Sequence, residues 1–168
     1  MLVTHGYAFP YSPDLTKDPQ VELSFESSLV RTRQFLDKTG DKTWYLNECG
    51  LPTTPEQTEG ISSGVDLRTQ ADYMARELLL ALSYGVDEIE VYSMFDQQNL
   101  YHAIMPAEYE NNFGLFYQQD YSGRIFPKPS AAAYANITRI LESVESCEEI
   151  STGSDTVVSY THLTLPTT

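Results

Sequence analysis

Strand-like and helix-like segments alternate along this 168-residue chain, and the alternation constrains the fold more than any single motif. Val3, His5 and Tyr7 share one face of an extended opening segment that Gly6 and Pro10 bring to an end. Phe25, Leu29, Thr32 and Leu36 then recur at helical spacing up to a stop at Gly40. A second strand runs from Thr43 to Glu48 and is halted by Gly50-Leu51-Pro52. Asp66 is placed to cap a second helix, whose stripe includes Leu67, Met74, Leu78 and Leu82 before Gly85 closes it. Asp87 to Phe95 reads as a third strand, ending at Asp96. A long connection holds Phe113-Gly114-Leu115-Phe116, a candidate short strand, and the turn Ser122-Gly123. Pro129 then opens a last helix bearing Ala133, Ile137, Ile140, Leu141 and Val144.

This order predicts an α/β fold of parallel strands with crossover helices. Three such units cannot close an eight-stranded barrel, which takes about 250 residues. An open three-stranded layer would leave two bare edges and a half-covered core. Residues 1–146 are therefore expected to form the C-terminal portion of a larger domain, with its beginning missing.

Glu48 stands out among the acids because it closes the second strand. A carboxylate at the carboxyl tip of a buried strand sits at the mouth of a fold, where α/β barrels place their catalysis. Trp44 lies inside the same strand and is expected to pack in the core.

Charge and cysteine usage exclude several classes of function. Lys+Arg 10 against Asp+Glu 24 gives a net charge of -14, which repels a phosphate backbone and an anionic membrane surface. Cys49 and Cys147 show no CxxC spacing, and His5, His102 and His162 no metal-binding spacing, so no metal or other cofactor is expected. No apolar run reaches membrane-spanning length, and no signal peptide opens the chain.

The segments Asn47-Glu48-Cys49-Gly50, Gln70-Ala71-Asp72-Tyr73, Arg76 to Leu82, Tyr84-Gly85-Val86, Val91 to Asp96, Asn112 to Leu115 and Pro127-Lys128-Pro129-Ser130 with Ala133-Tyr134 follow one another in a specific order. In that order they resemble the C-terminal part of retaining clan A (β/α)8 glycoside hydrolases, family 39-like or family 5-like. The resemblance covers about Val3 to Leu141. It implies a partial TIM barrel, with the three strands as barrel strands six, seven and eight. It also implies a truncated hydrolase of β-linked glycosides in polysaccharides or oligosaccharides, with Glu48 as the nucleophile of a double displacement.

The resemblance further places His5, Tyr7, Asn47, Tyr92 and Asp96 at the substrate. The Tyr7 hydroxyl would hydrogen-bond the Glu48 carboxylate. An Asn-Glu pair in this clan usually marks the acid/base on strand four, but only one further strand and the closing helix follow Glu48, so that assignment is rejected. The acid/base residue is expected to be absent together with strands one to five. The fragment would then be inactive alone, its partner being the missing N-terminal part of its own barrel, and the parent protein would be secreted or extracellular. Cys49 departs from the pattern, which more often has an aromatic residue or Ile there.

The alternative is a non-catalytic carbohydrate-binding or interaction protein derived from a barrel, and a metal-dependent barrel hydrolase or lyase is a further competitor. Asn136-Ile137-Thr138 has the form of a glycosylation sequon on a helix face. Residues 158–168 resemble a translated sequencing adapter, and 147–168 are expected to be a disordered or artefactual tail.

Overall fold

The computed structural model describes residues 1–20, 24–40, 42–53, 64–97, 109–118, 122–142, 144, 147–150 and 160–163. His102 lies outside these residues.

Three parallel strands form the sheet: β1 (Leu2–Gly6), β2 (Trp44–Cys49) and β3 (Glu88–Val91), in the order β1-β2-β3. Helix α1 (Phe25–Thr39) links the first pair, and α2 (Leu67–Ser83) links the second. A 3-10 turn at Tyr109–Asn112 precedes α3 (Pro129–Leu141). The strands run in one direction because each crossover is long enough to hold a helix.

The helix boundaries follow local chemistry. Asp66 Oδ1 accepts from the Arg68 and Thr69 amides at 2.9 and 2.8 Å, satisfying donors that the first turn of α2 leaves open. Pro129 occupies the first turn of α3, where a missing N–H costs nothing. Gly40 and Gly85 take positive φ values of 84° and 82° where α1 and α2 end.

The core lies on one side of the sheet. Phe25, Leu29 and Leu36 of α1 meet Trp44, Leu46 and Cys49 of β2 and Leu80 and Ala81 of α2. Gly6 permits this approach, since a Cβ there would lie 2.6 Å from the Phe25 ring. On the opposite side, Val3, His5, Glu88 and Glu90 remain exposed.

Two expectations are corrected. The third strand ends at Val91 rather than Phe95, because the segment beyond it pairs with the loop carrying Phe113 to Phe116. Leu115 N donates to Ser93 O, Phe116 N to Met94 O and Asp96 N to Phe116 O, each at 3.0 Å. The candidate short strand is thus reduced to isolated bridges of Phe116 with Phe95 and Pro127. In α3 the apolar stripe is only partly covered: Ala133 and Ile137 are half-buried and Ile140 is exposed. Two further segments, residues 147–150 and 160–163, are described. They pair as antiparallel strands β4 (Cys147–Ile150) and β5 (Tyr160–Leu163), their backbone groups satisfying one another outside the main sheet.

Among the described residues no helix is long and apolar enough to cross a membrane.

Glu77 of α2 is fully buried with Oε2 unpaired among the described residues, and burial raises its pKa well above 4.5. The folded chain therefore keeps a proton that the unfolded chain releases. Stability from this group is complete below pH 4.5 and falls as pH rises above it, by up to about 1.4 kcal/mol per pH unit. Glu77→Gln is expected to flatten that decline and to raise the urea midpoint at pH 8 more than at pH 4.5.

Candidate functional site

The site is created by an extra residue in β2. Thr4 pairs with Leu46 and His5 with Glu48, while across the other ladder Ile89 pairs with Leu46 and Val91 with Cys49. Both neighbours thus see β2 as one residue too long between Leu46 and Cys49. In a regular strand Trp44, Leu46 and Glu48 would share the core-facing side. The bulge shifts the phase, so Cys49, 0% exposed, joins Trp44 and Leu46 in the core. Glu48 turns to the open side, with its side chain 38% exposed.

Two side chains from the first strand and its exit meet Glu48 there. The Tyr7 hydroxyl donates to Oε2 at 2.9 Å, and His5 Nδ1 lies 3.4 Å from the same oxygen. Oε1 has no donor among the described residues. Burial first, then the hydrogen bond to Glu48, pushes the Tyr7 hydroxyl pKa well above its usual 10.0. Tyr7 is therefore a neutral, permanent donor at physiological pH.

Aromatic rings surround this contact. Tyr7, Phe9 and Tyr92 each pack edge-on against Phe113, with centroids 5.7, 5.5 and 5.3 Å away. Tyr92 N donates to Cys49 O at 2.9 Å, and its hydroxyl is hydrogen-bonded by Gln97 Nε2. The expected residues His5, Tyr7 and Glu48 thus come together at one carboxylate, with Tyr92 beside them through Phe113.

Asn47 and Asp96 are placed differently. Asn47 sits in the bulge, and its buried Oδ1 has no hydrogen-bond partner among the described residues. Asp96 is ion-paired: its Oδ1 accepts from Lys128 Nζ at 2.6 Å and from Gly114 N at 2.9 Å. Lys128, with a side chain 0% exposed, also donates to Thr53 Oγ1 at 2.8 Å and to Asn112 O at 3.1 Å. Burial lowers the Lys128 pKa, and the Asp96 carboxylate opposes that fall. Nearby, Ser130 Oγ donates to Gln70 Oε1 at 2.7 Å, and Gln70 Nε2 donates to Leu51 O at 2.8 Å. These bonds tie the segments following β2 and β3 to the start of α3.

No protein-family model matches the chain, and no curated protein matches it. Among solved structures it is similar to a family 39 glycoside hydrolase from the gut symbiont Bacteroides cellulosilyticus WH2, with a TM-score of 0.64 and 19% identity. The match covers 92% of this chain, which spans 29% of the length of that neighbour. At such identity the likeness is one of fold. The fold is a sector of a (β/α)8 barrel. In that barrel sector Glu48 lies at the carboxyl end of the strands, the end at which such barrels carry their active sites. Among the described residues no cluster of three or more His, Cys, Asp or Glu side chains could hold a metal ion.

Sequence reasoning did not single out Phe9, Phe113 or Lys128 as parts of the site. Lys128 had one signal, a long cation held between two prolines in Pro127-Lys128-Pro129. The phenylalanines had none, since a rim ring and a core ring look alike in sequence.

Removing Lys128 strands a nearly buried carboxylate. Lys128→Met is expected to cost about 3–5 kcal/mol in denaturant unfolding. Adding Asp96→Asn should recover a large part of that loss, which a double-mutant cycle will measure.

Proposed function

We propose that the chain carries the nucleophile half of a retaining glycosidase site, acting on β-linked glycosides of poly- or oligosaccharides. The observation that carries this reading is the bulge-driven exposure of Glu48 at the carboxyl end of the middle parallel strand, with Tyr7 and His5 on one of its oxygens. The likeness to a family 39 glycoside hydrolase supports the choice of chemistry.

Retaining hydrolysis takes two carboxyl groups about 5–5.5 Å apart. One attacks the anomeric carbon while the other protonates the departing oxygen, and the second then activates the water that releases the sugar. Glu48 fits the first role. Oε2 is held by Tyr7 and His5, which leaves Oε1 to bond to the sugar carbon. His5, Asn47 and Tyr92 line the approach as sugar contacts. The acid/base residue is supplied by preceding strands of the same barrel, whose return would cover the exposed side chains of Val3 and His5. Without that acid, catalysis falls by a factor of about 10²–10⁴, before any loss from the incomplete pocket. The parent enzyme, working on polysaccharide outside the cell, would be exported.

The test uses the parent enzyme with its upstream strands and an aryl β-glycoside. The expected result is hydrolysis with retained anomeric configuration, reduced by several orders of magnitude in Glu48→Gln. With Glu48→Gly, azide should displace the phenolate directly and give the α-glycosyl azide. A Glu48→Gln enzyme of undiminished rate would refute the assignment.

A further inference from the structure

The segment after the 3-10 turn delivers an apolar side chain to the centre of the site. Phe113 is 3% exposed and meets three rings edge-on, at interplanar angles of 73° to Tyr7, 78° to Phe9 and 62° to Tyr92. Tyr7 and Phe9 follow β1 and Tyr92 follows β3, so the rings flank the strand of Glu48 on both sides. The position of Phe113 is fixed by its own backbone. Ser93 N donates to Phe113 O at 3.3 Å, and Gly114 N donates to Asp96 Oδ1. Thr53 N, on the exit of β2, donates to Asn112 O at 3.0 Å. Gly50 leaves room for the arrangement: a Cβ there would lie 2.2 Å from Tyr92 O and 3.5 Å from Phe113 Cδ1.

Tyr7, by contrast, lies past the last ladder pair of β1, Gly6 with Cys49. The direction of its hydroxyl is therefore set by what its ring packs against. We propose that Phe113 is a positioning residue that holds the Tyr7 ring so that its hydroxyl points at Glu48 Oε2. Edge-to-face packing favours one ring orientation over the others, and a tyrosine hydroxyl follows its ring. With Phe9 on a second side, the ring is clamped with its oxygen 2.9 Å from the carboxylate. Phe113 touches no reacting atom. It acts through Tyr7, and its importance for catalysis rests on the reading of Glu48 as nucleophile, although the contact itself is testable without any substrate.

The experiment follows the Tyr7 ring in the full chain by NMR with ¹³Cζ-labelled tyrosine, the resonance being assigned by its loss in Tyr7→Phe. The titratable groups facing this hydroxyl are Glu48, Tyr92 and Cys49, with His5 on the same carboxylate. In the native chain Tyr7 should stay protonated through about pH 11, against an ordinary tyrosine near 10. In Phe113→Leu the released hydroxyl should reach water and titrate within about one unit of the ordinary value. Phe113→Tyr, which keeps the ring edge, should restore the native behaviour, and Glu48→Gln should lower the midpoint through loss of the charge. Circular dichroism and Trp44 emission report whether each variant is folded.

A folded Phe113→Leu chain whose Tyr7 stays protonated through pH 11 would overturn the proposal and make Phe113 a filler. Should Phe113→Leu not fold, the native chain labelled at the tyrosine ¹³Cε positions, which exchange when the ring flips, decides: slow flipping of the Tyr7 ring on the chemical-shift timescale supports the clamp, and rapid flipping overturns it. Activity surviving in Glu48→Gln would sink the glycosidase reading without altering these titrations. A native-like Phe113→Leu titration would sink the clamp and leave that reading intact.

Discussion

Between Leu46 and Cys49 the middle strand has two residues where β3 has one, and the exposure of Glu48 at the carboxyl end of the sheet follows from that mismatch. A strand of period two offers each face every second residue. The inserted residue breaks the count once, late in the strand, so the core keeps Trp44 and Leu46 and then receives Cys49 instead of Glu48. Had the count run on, a carboxylate would face Phe25 and Leu29, and burial would drive it to the neutral acid. Bulges collect next to active sites because they re-aim one side chain without moving the scaffold. Asn47 Oδ1, buried with no partner among the described residues, is part of what this distortion leaves behind.

The rest of the rim is held by buried polar contacts rather than by the sheet, whose strands have ended. Lys128 joins Thr53, Asn112 and Asp96, and Gln70 joins Leu51 to Ser130. Desolvating an ammonium and a carboxylate costs about as much as their attraction returns, so such a pair is a poor source of stability. It fixes geometry instead. Each of its bonds has a defined direction, and breaking one leaves a buried group unpaired. Phe113, carried by the segment that Lys128 and Asp96 anchor, inherits that precision.

Among the described residues the sheet is covered on one side only. Parallel sheets are normally buried on both faces, since their crossovers supply helices to each. Here α1 and α2 pack on the core side, while Val3 and His5 face outward beside Glu88 and Glu90. In a closed barrel the same arrangement is natural: helices lie outside, and the inner side of each strand meets the inner sides of the others. A barrel sector with its site at one end of the inner surface accounts for the open face and for the place of Glu48 together.

The parts of this structure legible in the sequence are those encoded over a few residues. Asp66, Gly40, Gly85 and Pro129 mark helix ends because capping and φ preference act within a turn. The stripes of α1 and α2 and the apolar run of β2 are similarly local, and together they determined an α/β layer of parallel strands with an acid at the tip of the second. The tertiary structure alone decided which way that acid faces, since a bulge shows only against a neighbour's register. It also decided that Asp96 serves Lys128, and that β3 stops short to pair with the Phe113 segment. The contacts that make the site span long intervals, 41 residues from Tyr7 to Glu48 and 75 from Thr53 to Lys128. Propensity and periodicity act between near neighbours in the chain, whereas these contacts depend on how whole elements pack, so no local pattern of residues announces them.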